Sequence, residues 1–267
     1  VVAGYDRTPS DLTRHLEKEG MLIHYEENVD EIPHACRDKA SCLVVYTPAI
    51  PAEHKELQYF RDGGFVIEKR AQVLGTLTRT HKGLCVAGTH GKTSTSTMCA
   101  HIMHQSHIDC NAFLGGISKN YGTNYILSDS SDFVVIEADE FDRSFHWLRP
   151  WMSVITSTDP DHLDIYGTKD AYLESFRHYS ELIQPGGALI IHTELPRTSR
   201  LKTVRSRSIS YHPSAMSRTC TSANPSPSTS RTAWLPWPWH SSTVALRRNC
   251  AMEWRPITVW IDASTSR

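Results

Sequence analysis

The chain has 267 residues, enough for one large domain or two ordinary ones, with 28 Lys+Arg against 29 Asp+Glu. That balance argues against nucleic acid or an anionic membrane surface as its partner. Mean hydropathy is -0.39, no run approaches the ~18 apolar residues of a membrane span, and the opening VVAGYDRTPSD, which lacks Met and reads as cut into rather than begun, is not a secretory signal.

VVAGY (1–5) predicts a short strand. Ser10, after Pro9, caps a predicted helix through Leu12 and Leu16 that closes at Gly20. The apolar runs MLIHY (21–25), CLVVY (42–46), FVIEK (65–69) and LCVAG (84–88) predict strands, with helices over 52–64 and 70–81. Near-continuous apolar strands alternating with helices imply a parallel sheet covered by helices. Such a nucleotide-binding sheet usually opens on a strand and a glycine-rich turn. No G-x-G-x-x-G precedes residue 83, so the first strand–turn–helix unit of a Rossmann-like domain is expected to be missing. The seven cysteines (36, 42, 85, 99, 110, 220, 250) contain no C-x-x-C pair. Reduced thiols of a cytoplasmic protein fit better than a disulfide framework or a zinc site.

The strongest motif is LCVAGTHGKTSTSTM (84–98). An apolar strand runs into Gly88-Thr89-His90-Gly91-Lys92-Thr93, and a helix follows with Thr95, Met98, Cys99, Ile102 and Met103 at helical spacing. This is the context of a phosphate-binding loop. Small residues let backbone N–H groups face phosphate oxygens, and the helix N-terminus adds partial positive charge. Lys92 can reach the β/γ-phosphates and the Thr93 hydroxyl can ligate Mg²⁺. Val86 stands where the longer form of the loop carries Gly, so this is the shorter G-T-x-G-K-T form. On the following helix His101, His104 and His107 read as a polar face rather than a metal site, and Asn111 to Asn120 reads as a loop.

Phe133 to Ile136 predict a buried strand with Glu137, Asp139, Glu140 and Asp142 at its C-terminal end, where parallel sheets bind ligands. Glu137 directly continues the apolar run and is placed to hold Mg²⁺; Asp139 to Asp142 are explained by a solvated acidic loop. A further strand, MSVIT (152–156), leads to Asp161, His162 and Asp164. Imidazole is an unusual ligand for Mg²⁺, so His162 by itself reads as a loop hydrogen-bonding residue. A helix over 169–183 and the strand GALIIH (187–192) end the pattern.

Residues 201–267 contain no Gly or Phe and only two acids, Glu253 and Asp262, yet hold five of the seven Trp. Ser and Pro enrichment suggests a disordered tail, which five Trp oppose. Because Trp has a single codon, the run Trp234-Leu235-Pro236-Trp237-Pro238-Trp239-His240 can read Met-Ala-Ala-Met-Ala-Leu-Ala one base earlier. Met252 to Ser266 likewise becomes protein-like in that frame. Everything after roughly residue 195 is therefore expected to be out-of-frame translation.

G-T-H-G-K-T (88–93), E-A-D-E-x-D-x-S-F (137–145) and D-P-D-H-L-D-x-Y-G (159–167), in that order, resemble the Mur ligases. The likeness covers about residues 1–193, and T-P-A-I (47–50) and R-A-Q-V-L (70–74) are also similar to the family's first domain. The resemblance implies an α/β protein. Residues 1–82 would form a partial Rossmann-like UDP-substrate domain, and 83–194 a truncated P-loop ATPase domain with a mainly parallel sheet. Residues 195–267 would be an irregular tail in place of a third domain.

The reaction implied is cytoplasmic, ATP- and Mg²⁺-dependent and part of peptidoglycan precursor synthesis: an acyl phosphate on the lactyl carboxylate of UDP-N-acetylmuramate is attacked by the amine of L-alanine. By resemblance Gly88, Thr89, His90, Gly91, Lys92, Thr93 and Ser94 line the phosphates, Thr93 and Glu137 hold one Mg²⁺, and His162 helps hold a second. Lys92, Glu137 and His162 are then the catalytic set. Ser157 stands where relatives often carry Asn. Without the opening turn and the third domain, the chain is expected to bind nucleotide weakly and not to complete the ligation. A peptide-recycling or folate–polyglutamate ligase of the same fold, and a non-catalytic P-loop switch, remain as other readings; Glu137 together with His162 favours the ligase.

Overall fold

A computed structural model describes residues 1–192 and the backbone of residues 207–211 and 258–262, and in it the apolar runs form two sheets. The first contains β1 (Val2–Tyr5), β2 (Leu22–His24), β3 (Cys42–Tyr46), β4 (Val66–Lys69) and β12 (Thr258–Asp262). Their order is β2-β1-β12-β3-β4, with every neighbouring pair parallel. The second contains β5 (Lys82–Ala87), β6 (Asn111–Phe113), β7 (Tyr125–Ile126), β8 (Phe133–Glu137), β9 (Met152–Ile155), β10 (Ala188–His192) and β11 (Arg207–Tyr211). Its order is β11-β10-β9-β5-β8-β6-β7, and the β6–β7 pair is antiparallel.

The helices are α1 (Asp11–Lys18), α2 (Lys55–Asp62), α3 (Arg70–Thr80), α4 (Lys92–His104), α5 (Leu163–Tyr166) and α6 (Lys169–Glu181). Ser10 caps α1 as its chemistry predicts: Ser10 Oγ accepts from Thr13 N–H at 3.1 Å, and Thr13 Oγ1 accepts from Ser10 N–H at 2.8 Å. The chain leaves α2 through Gly63 and Gly64.

Burial on both faces of the second sheet explains why β5 and β8 read as unbroken apolar runs. Side chains alternate between two cores. Cys85, Ala87, Val134 and Ile136 face Leu74, Phe145, Tyr172, Phe176 and Tyr179. Leu84 and Val135 face Ala100, Cys110, Ala112, Leu114 and Ile126. The first sheet packs Ala3, Tyr5, Val44, Leu57 and Phe60 into a core of its own. The register sets Val86 opposite Glu137 and Ala87 opposite Ile155, so the C-terminal ends of β5, β8 and β9 lie level. The five described cysteines are free thiols.

Three expectations change. Asn111 to Asn120 is not simply loop, because Asn111–Phe113 pairs with β8; three residues are too few to show a period. On α4 the apolar positions do not all turn inward: Met98 and Ile102 are exposed, while Ser96 and Ala100 make the buried contact. Within the irregular tail, Arg207–Tyr211 and Thr258–Asp262 form strands, both short runs with β-branched or aromatic residues. The rest of the tail, including the Trp-rich run 234–240 on which the reading-frame argument rests, lies outside the described residues.

Candidate functional site

After Ala87 the backbone turns through Gly88 at φ +127°, a region L-residues avoid. A Cβ there would stand 2.2 Å from Thr156 Oγ1 and 2.8 Å from Ser157 N. The turn is pressed against the chain leaving β9. Thr156 N–H donates to Ala87 O at 3.0 Å, and Thr156 Oγ1 donates to His90 O at 2.5 Å. Thr89 N–H donates to Ser157 O at 3.2 Å, and His90 N–H to Ser157 Oγ at 2.9 Å. Thr89 Oγ1 donates to Asp159 O at 2.7 Å and lies 2.8 Å from Tyr172 Oη.

The amides of Thr89 and His90 are thus taken up within the protein. Gly91, at φ +77°, is the N-cap of α4, and no side chain caps this end. The first i→i−4 bond runs from Thr95 N–H to Gly91 O at 3.0 Å. The amides of Lys92, Thr93 and Ser94 therefore lack helical partners at the positive end of the dipole, which suits an anion.

Glu137 ends β8 beside this turn. Thr93 Oγ1 donates to Glu137 Oε1 at 3.1 Å, and Gly115 N–H donates to Glu137 Oε2 at 3.0 Å. A Cβ on Gly115 would stand 2.3 Å from that carboxylate, so any larger residue there must push the Glu137 carboxylate aside. A hydroxyl and a carboxylate oxygen in contact at an accessible strand end are the hard donors Mg²⁺ takes, with water and phosphate completing its shell. Among the described residues no group of three or more His, Cys, Asp or Glu side chains could hold a metal ion by itself.

Lys92 Nζ lies 2.9 Å from Glu140 Oε1 and 2.8 Å from Oε2. Glu140 is only 1% exposed. This corrects the reading of 139–142 as a solvated acidic loop at Glu140, while Asp139 and Asp142 are exposed as expected. Asp142 and Arg143 both adopt left-handed backbone, at φ 51° and 54°, in the turn Phe141–Trp147, which sends Phe145 into the core. Tyr166 Oη donates to Glu140 O at 2.5 Å, and Lys69 Nζ pairs with Asp142 at 2.8 Å. Burial pushes the Glu140 carboxyl above its ordinary pKa, while Lys92 opposes that shift. Sequence reading places Glu140 at the strand end but takes it as solvated, because residues past the strand carry no period; the signal of its burial is that a half-buried lysine needs a counter-charge.

His162 is the N-cap residue of α5, in left-handed backbone at φ 52°. Its N–H donates to Asp161 Oδ1 at 2.8 Å, and its ring meets Phe141 edge-on at 5.3 Å. The structure brings Thr93 to Glu137 and Lys92 to Glu140, but His162 makes its contacts with Asp161 and Phe141 instead. His101 and His104 serve a polar face, 2.8 Å from Tyr121 Oη and 2.6 Å from Asp109 Oδ1. No described helix is long and apolar enough to cross a membrane.

A family model for the Mur ligase middle domain matches residues 86–246, and one for the Mur ligase family, catalytic domain, matches residues 1–82. A protein of Phocaeicola vulgatus named UDP-N-acetylmuramate–L-alanine ligase is 73% identical over 190 residues, covering 71% of this chain and 42% of its own length. Its namesake in Parabacteroides distasonis is 63% identical over 201 residues, covering 75% and 44%. The crystal structure of UDP-N-acetylmuramate-alanine ligase from Thermotoga maritima superposes with a TM-score of 0.65 at 27% identity, covering 79% of this chain and 46% of that one. The chain spans less than half the length of these relatives. The two sheets, the glycine turn leading into α4 and the sequence likeness across both matched regions agree: this chain belongs to the Mur ligase family.

Proposed function

We propose that this chain carries the ATP-handling part of a cytoplasmic ligase that joins L-alanine to the lactyl carboxylate of UDP-N-acetylmuramate. The observation that carries the reading is the Thr93–Glu137 contact at the uncapped start of α4. The names of the relatives, at 73% and 63% identity, support the choice of substrates.

A carboxylate is a poor acyl donor because an oxide would have to leave; transfer of a phosphoryl group from ATP makes that oxygen a leaving group. The amine of L-alanine then attacks the acyl carbon, phosphate departs, and the nitrogen loses a proton. The protein's task is positioning and charge neutralisation. The amides of Lys92, Thr93 and Ser94 and the Lys92 ammonium face the phosphate oxygens. Thr93 Oγ1 and Glu137 would hold Mg²⁺, which when bound draws charge from those oxygens. By the family resemblance His162 would help hold a second Mg²⁺; its N–H donates to Asp161 Oδ1 and its ring lies against Phe141.

Calorimetric titration of the chain with ATP, with and without Mg²⁺, tests the nucleotide part. Binding is expected to strengthen with Mg²⁺ and to weaken at least about tenfold in Lys92→Ala, the worth of one charged hydrogen bond. Absence of ATP binding refutes it. Ligation is assayed, on a chain with its reading frame restored after residue 195, as phosphate release that requires UDP-N-acetylmuramate and L-alanine together; release equally fast without them marks a nucleotide switch or hydrolase instead.

A further inference from the structure

Glu140 has no part in the chemistry above, yet it is the most deeply buried charged group at the site. Its carboxylate oxygens lie 2.9 and 2.8 Å from Lys92 Nζ, the one cation in salt-bridge contact with it among the described residues. Its carbonyl is held by two donors: Glu140 O accepts from Tyr166 Oη at 2.5 Å and from Arg143 N–H at 3.0 Å. Lys69 holds Asp142, two residues further on.

Two physical arguments follow from this arrangement. Withdrawing the ammonium would leave a buried carboxylate uncompensated, which is strongly unfavourable. An ammonium also has three N–H donors, so pairing with one carboxylate leaves donor capacity for a phosphate oxygen. A lysine already held in place loses little further side-chain freedom on gripping phosphate. We propose that Glu140 is a positioning residue: it fixes Lys92 Nζ beside the first turn of α4 and stays paired with it when a polyphosphate docks. The proposal rests on the nucleotide reading of the loop.

The test compares the full chain with Glu140→Gln, Lys92→Met and the double variant, titrating MgATP and, as control, AMP, with circular dichroism to verify folding. Lys92→Met is expected to weaken ATP binding by roughly tenfold or more in the unsubstituted background and by less than about threefold beside Glu140→Gln. AMP binding should be alike in all four. Glu140→Asp, which keeps the charge, should recover part of the loss. Equal losses in both backgrounds would make Glu140 merely structural, and a larger loss beside Gln would make it a competitor of phosphate; either overturns the proposal.

A second readout needs no nucleotide. Acetylation by an N-hydroxysuccinimide ester, followed by mass spectrometry, should modify Lys92 more slowly than the exposed Lys39 and Lys119 in the unsubstituted chain. In Glu140→Gln the Lys92 rate should rise about tenfold. A Lys92 rate matching the exposed lysines overturns the constraint even if the variant does not fold. Failure of the chain to bind ATP would refute the nucleotide reading, and the acetylation rates would still decide whether Glu140 restrains Lys92.

Discussion

Gly115→Ala perturbs the Thr93–Glu137 pair proposed to hold Mg²⁺ without replacing a charged residue. The added Cβ would stand 2.3 Å from Glu137 Oε2 and 2.4 Å from both the carboxyl carbon and Oε1. Reaching ordinary contact near 3.4 Å requires the carboxylate to move by about 1 Å. The carboxylate accepts from Gly115 N–H at 3.0 Å and from Thr93 Oγ1 at 3.1 Å, and a shift of that size takes at least one of these bonds beyond hydrogen-bond reach. Because the obstructing atoms end a side chain, overpacking should cost only about 1–3 kcal/mol of stability. The consequence for function should be larger: displacing a reacting group by about 1 Å can cost on the order of a hundredfold. The assay is ATP titration at increasing Mg²⁺. Metal enhancement should fall roughly tenfold or more in Gly115→Ala, with metal-free binding little changed. Gly116→Ala is the matched control, since its Cβ meets only Thr93 Cγ2, at 3.4 Å. A folded Gly115→Ala chain with undiminished Mg²⁺ dependence would refute the assignment of Glu137.

Phe60→Ala empties the centre of the first core, where the ring is fully buried and meets Phe65 edge-on at 5.0 Å; urea unfolding should show a loss of about 3–5 kcal/mol. Tyr166→Phe removes the buried donor to Glu140 O and should cost about 1–2 kcal/mol by the same measurement. Burial lowers the pKa of His146, with Ser175 O opposing. The unfolded chain therefore takes up this proton first. The stability due to His146 should be whole above about pH 6.5 and decline as pH falls through the lowered folded value. His146→Gln should flatten that decline in denaturant titrations between pH 7.5 and 5; an unchanged slope would assign it to other groups.

The second sheet was readable because its central strands are covered on both faces, which writes burial into the sequence as unbroken apolar runs such as LCVA and FVVI. Its rim was not, since β6 and β7 are three and two residues long and no period fits in them. Within the site, Lys92, Thr93 and Glu137 were legible because a strand, a glycine turn and a helix start each leave a local mark. Glu140 left none: its carboxylate is paired with Lys92 and its carbonyl with Tyr166, 48 and 26 residues away in the chain. His162 could be named but not placed, because the left-handed turn that directs its ring toward Phe141 follows from tertiary contacts rather than from its neighbours in the chain.

Thr156 and Ser157 fasten the glycine turn to the segment leading to His162 through five hydrogen bonds to Ala87, Thr89 and His90. The two cannot loosen independently, so occupancy at one is felt as rigidity at the other. Nucleotide should therefore slow amide hydrogen exchange at residues 156–162 as well as in the turn itself, and Ser157→Gly should weaken that coupling by removing the Ser157 Oγ bond to His90 N–H while leaving the start of α4 whole.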